Sequence, residues 1–191
     1  MAEDRNLTCR CGQMAWSIAG DAPGTHLVCH CRDCQGFARH LGVAEAMLDA
    51  HGGTELFQIA PENLRLTDGV DHLSVLRLSD KGLLRWYAGC CGTPIANTLP
   101  GPGLPFAGMV LPREAPGFGP ITARTGTAAT GGAVKARGGL RAGLSLMVRA
   151  LRSRLTGGHR RTPFFGPDGA PVRHPKVLSA QERAAAGLDP A

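Results

Sequence analysis

The chain has 191 residues, of which 43% are hydrophobic and only 5% aromatic, with 27 glycines, 14 prolines and a formal net charge of +6. This supports one domain with an appendage and a real core, in a loop-rich fold that bound metal would help to hold together. The excess basicity lies in the last third, from Arg124 to Arg183. It is read first as a solubilising surface, because no aromatic residues interleave with it in a base-stacking pattern. Contact with nucleic acid, an anionic membrane or an acidic partner is the lesser reading.

The opening Met1-Ala2-Glu3-Asp4-Arg5 lacks the apolar stretch of a secretory signal, and no apolar run approaches transmembrane length. A cytoplasmic location without a membrane partner is therefore expected, where thiols stay reduced. Clustered cysteines in such a compartment point to metal or catalysis rather than to disulfides.

In chain order, Cys9-Arg10-Cys11-Gly12 forms a C-x-C-G knuckle, whose glycine lets the backbone turn its amides towards sulfur. Met14, Trp16 and Ile18 alternate as a half-buried strand. After the turn at 20–24, His26 to Val28 forms a second strand leading into Cys29-His30-Cys31-Arg32-Asp33-Cys34. A short helix is predicted over 35–41. From Gly52 the chain reads as β-rich, with strands over 55–59, 64–67, 72–78 and 83–87. Asp68-Gly69 and Ser79-Asp80-Lys81-Gly82 are the turns between them. The strand over 83–87 runs into Gly89-Cys90-Cys91-Gly92, and 105–111 is the final strand.

Residues 1–112 are thus read as a zinc-binding β domain and 113–134 as a linker or loop rich in Gly, Pro and Thr. Residues 135–191 are read as a basic helical extension packed on the β domain. In that extension Leu140, Leu144, Val148, Leu151 and Leu155 recur at helical spacing among arginines. The preferred reading is a helix docked on the β domain with its arginines in solvent, ahead of one bound to membrane or nucleic acid. Phe164 to Val172 adds a short strand, and Ser179-Ala180-Gln181-Glu182 is a capping box opening a last helix.

All seven cysteines fall in the three clusters. Seven thiols divide naturally as four plus three. Cys9 and Cys11 with Cys90 and Cys91 would make a closed structural zinc site. Cys29, Cys31 and Cys34 would make an open, catalytic one. Neighbouring side chains in an extended strand point to opposite faces, so Cys90 and Cys91 share one ion only if the backbone turns sharply. Gly89 and Gly92 permit that turn; otherwise Cys91 alone is the ligand. His30 would face away from its flanking cysteines. His26, His40, His51 and His72 each stand alone and are not read as ligands. Arg32 and Asp33 are read equally as substrate-orienting groups and as solvated charges.

The order of these motifs resembles the glutathione-dependent formaldehyde-activating enzyme (GFA-like) family, which includes centromere protein V. The matching stretches are Cys9-Arg10-Cys11-Gly12, Cys29 to Cys34, Gly52-Gly53-Thr54-Glu55-Leu56-Phe57, and Arg85-Trp86-Tyr87 running into Cys91-Gly92, covering about residues 7–111. The resemblance implies a mainly β, β-tent fold with two zincs. It also implies that the central three cysteines bind a glutathione-like thiol adduct, on which a carbon–sulfur bond is made or broken. One departure stands out: the family's downstream C-x-x-C-G motif has Ala88 at its first position here, with Cys90 between Ala88 and Cys91. The Trp86-Tyr87-Ala88, Cys90-Cys91 and Thr93-Pro94 pattern resembles a divergent bacterial branch.

Two main functions follow, with a redox or metal sensor using Cys90-Cys91 as a third, weaker option. One is a zinc-dependent carbon–sulfur lyase acting on a thiol adduct of an aldehyde. The alternative is a non-catalytic zinc-stabilised binding module whose basic C-terminal segment contacts an acidic partner or nucleic acid. The enzyme is the slightly favoured reading.

Overall fold

A computed structural model of the chain describes residues 2–189. Among them the fold is mainly β, with eleven strands in two sheets. The strands are β1 (Arg5–Thr8), β2 (Ala15–Ile18), β3 (Thr25–Cys29), β4 (Thr54–Ile59), β5 (Leu64–Asp68), β6 (Leu73–Arg77), β7 (Leu84–Ala88), β8 (Thr93–Thr98), β9 (Ala107–Val110), β10 (Ala123–Thr125) and β11 (Lys176–Val177). The α-helices are α1 (Arg32–His40), α2 (Ala44–Met47), α3 (Gly139–Leu155) and α4 (Ala180–Ala185). The smaller sheet has the order β1-β2-β5; the larger runs β10-β3-β4-β9-β8-β7-β6-β11.

Between the sheets lies the main core. Met14, Trp16 and Ile18 from around β2 meet Phe57, Ile59, Trp86, Ile95 and Met109 from the larger sheet. The alternation of Met14, Trp16 and Ile18 seen in the sequence is what points them all inward. The C-terminal segment closes this core, since Phe164 is fully buried and stacks on Trp86 with ring centroids 4.8 Å apart. Burying each such side chain is worth about 1.5–3 kcal/mol relative to exposure.

The opposite face of β3 and β4 is covered by helices. Leu27, Leu56, Val110 and Ala123 pack with Ala38, Val43, Met47 and Ala142. A third cluster joins α1 to the C-terminus through Phe37, Leu76, Leu178, Ala186 and Leu188. There α4 opens on the Ser179–Glu182 capping box read from the sequence.

The sequence reading missed β1, β8 and α2, and its strand over Phe164 to Val172 is only an isolated Phe165–Pro171 bridge. Two further differences lie after residue 112. The segment read as a linker contributes β10, which pairs in parallel with β3. Its edge position explains the missing pattern, for Ala123-Arg124-Thr125 has only one partner face to satisfy. The orientation of α3 is the second difference. Ala142, Arg149, Ala150 and Ser153 face the domain, while Leu140, Leu144, Met147, Val148, Leu151 and Leu155 are exposed. Small side chains let the helix backbone approach the sheet closely. Gly138 sets the approach: it sits at φ 66°, and a Cβ there would meet the Thr122 carbonyl at 2.3 Å. Arg149 donates to Thr25 Oγ1 at 3.1 Å and Ser145 Oγ at 2.5 Å. Ser153 donates to Glu62 Oε2 at 2.9 Å. No helix among the described residues is long and apolar enough to cross a membrane.

Candidate metal centres

The fold gathers the cysteines into two groups that can each hold a metal ion: Cys9, Cys11, Cys90 and Cys91, and Cys29, Cys31 and Cys34. Within each group every pair of sulfurs lies within 4.8 Å.

The four-thiol group joins two tight turns. In the first, Gly12 adopts φ 76° and its amide donates to the Cys9 carbonyl at 2.9 Å. The Met14 amide donates to Cys9 Sγ at 3.2 Å. In the second, β7 ends at Ala88, and the amides of Cys91 and Gly92 turn back to its carbonyl at 3.3 and 2.8 Å. This turn brings Cys90 inward. Its sulfur lies 3.7 Å from that of Cys9 and 3.4 Å from that of Cys11. Cys91 Sγ is 4.0 Å from Cys90 Sγ and 3.1 Å from Thr93 Oγ1. Arg10 straps the turns together, its amide donating to Thr93 Oγ1 and its guanidinium to the Cys91 carbonyl at 2.8 Å. Ala88 is fully buried in β7, and Cys90 supplies the second downstream thiol beside Cys91.

Ionisation differs among these sulfurs. Desolvation and hydrogen bonding to Cys11 and Cys9 push the Cys90 thiol up to about 12. Burial acts the same way on Cys91, but the Thr93 hydroxyl and the amides of Cys11 and Thr93 overcome it and hold that thiol down to about 6.

The three-thiol group is built on a strand-to-helix junction. Cys29 ends β3, Cys31 is the N-cap of α1, and Cys34 lies in its first turn. The Cys34 amide donates to Cys31 Sγ at 3.4 Å, so the thiol does the work of a capping oxygen. The unpaired amides and dipole of the helix N-terminus favour thiolate there. Cys29 and Cys31 Sγ are 3.4 Å apart. Cys29 and Cys31 are half-buried and Cys34 is buried. Hydrogen bonding to Cys31 and then Cys34 pulls Cys29 down to about 2. The same bonds, from Cys29 first, raise Cys31 and raise Cys34 well above the ordinary thiol range.

The site has neighbours to which the sequence reading gave no role. Arg85, buried in β7, extends Nη1 to within 3.6 Å of Cys34 Sγ and 3.0 Å of Asn97 Oδ1. Its Nη2 lies 3.5 Å from Asp33. An arginine inside the otherwise apolar Leu84–Ala88 strand was the available signal, because a buried cation requires a partner. Gly126, at φ 65°, packs against the backbone of Cys31, where a Cβ would come within 2.7 Å of its amide nitrogen. Arg32 turns away to pair with Asp189 at 2.7 Å.

The histidines stand apart from both groups. His30 is fully buried, with Nδ1 3.4 Å from the His51 carbonyl and Nε2 3.5 Å from Arg124. His26 bonds Glu55 at 3.1 Å and the Gly119 carbonyl at 2.8 Å.

The profile of a family of unknown function (DUF6151) matches residues 1–138. The matched region holds all seven cysteines and stops where α3 begins. No curated protein matches the chain. Among solved structures, the crystal structure of a Rhodobacter sphaeroides protein is similar at 18% identity, over 61% of this chain and 97% of that one, with a TM-score of 0.37.

Proposed function

The chain belongs to DUF6151, a family of unknown function, and we propose that it is a zinc-binding protein with a closed structural site and an open reactive one. The donor set fits zinc. A tetrahedral ion with Zn–S bonds of about 2.3 Å requires sulfurs roughly 3.8 Å apart. The sulfur contacts in the four-thiol group span 3.4–4.0 Å. Cys9, Cys11, Cys90 and Cys91 would hold the structural ion. Cys29, Cys31 and Cys34 would hold a second.

The observation that carries a catalytic reading is the count of three thiols in a half-exposed group beside a buried cation. Three protein ligands leave one position for a substrate sulfur. A zinc ion there supplies a Lewis acid and an anchor for thiolate. The reading is a carbon–sulfur lyase acting on the adduct of a glutathione-like thiol with an aldehyde, in keeping with the GFA-like resemblance. In the forward direction the bond between sulfur and the hydroxyl-bearing carbon breaks, the hydroxyl proton returns to sulfur, and the aldehyde leaves without any change of oxidation state. Arg85 would stabilise the Cys34 thiolate that forms when the ion binds, and Asn97 would keep Arg85 in place.

Exchange NMR on glutathione mixed with formaldehyde tests the reading. The zinc-loaded chain should accelerate interconversion of free thiol and adduct, and Cys31→Ser should return it to the uncatalysed rate. Equal rates with and without the zinc-loaded chain would overturn the enzymatic reading for this thiol and aldehyde.

A further inference from the structure

The exposed face of α3 is what the metal centres leave unexplained. Six of the nine exposed large hydrophobic residues among the described residues lie on this one helix: Leu140, Leu144, Met147, Val148, Leu151 and Leu155. Their exposures run from 54% to 82%, so the stripe stands proud of the surface. At about 100° per residue the six fall on one side, directly opposite the docked Ala142, Arg149 and Ser153. Arg141 and Arg152 lie along one edge of the stripe and Arg154 along the other, all exposed. The helix is held to the domain by its small and polar face, so its apolar face is free while the fold is intact.

Charge identifies the occupant. Residues 115–167 contain nine Lys and Arg and no Asp or Glu. A second copy of this chain on the stripe would set arginine against arginine with no carboxylate on either helix to relieve the repulsion. A protein groove would grip a short helix through a few deep anchors, commonly aromatic, and the stripe has no aromatic residue. An unbroken run of flexible aliphatic side chains along the whole helix, flanked by arginines, fits a flat, anionic, apolar-centred surface.

We infer that α3 is an interfacial helix that lays Leu140 to Leu155 into the surface of an anionic lipid bilayer. The membrane is contacted, not crossed. This replaces the sequence-based expectation of no membrane partner, which rested on the lack of an apolar run long enough to cross a membrane. The inference is independent of the reaction at the cysteines.

Co-sedimentation of the full-length chain with vesicles tests it. Binding is expected to vesicles of phosphatidylcholine with about 30% phosphatidylserine, and to fall steeply with added salt. Pure phosphatidylcholine vesicles should bind at least about tenfold more weakly. L144D together with L151D, both at exposed positions, should abolish binding while leaving the circular dichroism spectrum and thermal midpoint unchanged. Arg141→Gln with Arg152→Gln should weaken it about 30-fold, since each basic group near an anionic surface contributes about fivefold. Failure to sediment with the anionic vesicles at low salt would overturn the inference. Equal binding by the L144D/L151D variant would do so too, as would a dimer in sedimentation equilibrium that this variant dissociates.

Discussion

Cys9 and Cys90 are 81 positions apart in the sequence, and their sulfurs lie 3.7 Å apart in the fold. The turn after β7, closed by the amides of Cys91 and Gly92 on the Ala88 carbonyl, produces this juxtaposition. An ion held there closes a loop of that length, whose entropic cost rises only logarithmically with the number of residues. With an ion bound, the four-thiol site would tie the smaller sheet to the larger and support the fold directly.

Removing Cys90 should be felt as loss of stability. Cys90→Ser leaves three thiols at the closed site. It should lower the thermal midpoint of the metal-loaded protein by about 10 °C or more, since structural zinc sites contribute their binding energy to folding. Differential scanning calorimetry measures this directly. An unchanged midpoint would mean that Cys90 is no ligand.

Metal binding at the three-thiol site should release two protons at neutral pH. Cys29 is pulled down to about 2 by its bonds to Cys31 and Cys34, so it is already thiolate; the other two are raised and still protonated. Metal binds the thiolate form, so affinity should rise with pH, by about a hundredfold per pH unit near neutrality, and fall as pH drops. Calorimetric titration in buffers of differing ionisation enthalpy counts the protons. Three released protons would show that Cys29 is not held as thiolate.

Arg85 should govern affinity at the same site. Its charge, 3.6 Å from Cys34 Sγ, favours the thiolate that binds metal. Arg85→Leu removes that charge and leaves Asn97 without its partner. Affinity for the second metal should fall at least about tenfold, a typical effect of losing one buried charge partner. Competition with a chromophoric chelator reads this, and the closed site should be unaffected.

Gly126→Ala should disturb the central site from outside the cysteine motif. A Cβ at Gly126 meets the Cys31 backbone at 2.7 Å, and its φ of 65° strains any L side chain. The left-handed conformation alone costs about 1–2 kcal/mol. Displacing Cys31 should add a weaker second metal site, visible in the same chelator competition. Full affinity in the alanine variant would show that the segment before α3 gives way freely.

Much of this was legible in the chain. The cysteine spacing showed two groups, Gly12 and Gly92 marked the turns, and Ser179 with Glu182 marked the last helix. Short-range signals sufficed for the turns, the capping box and the Cys29–Cys34 cluster, each made by residues close in sequence, while the four-thiol group followed from dividing seven thiols as four plus three. What escaped depended on distant partners. β10 carries no periodic pattern and is a strand only because β3 offers it an edge. Arg85 reads as a strand charge until Cys34 and Asn97 arrive beside it. For α3 the period located two faces, and hydrophobicity suggested the wrong one as the docked face. Ala142, Ala150 and Ser153 won that place because close backbone approach, with Arg149 and Ser153 hydrogen-bonded underneath, suits small side chains.

Zinc content per chain, measured with and without glutathione, bears most directly on the central claim of one closed and one open thiolate site. Two zincs per chain are predicted, one retained against a chelator and one made labile or newly liganded by glutathione, with Cys31→Ser losing only the second. A single tightly held zinc, indifferent to glutathione and unchanged by Cys31→Ser, would contradict the account.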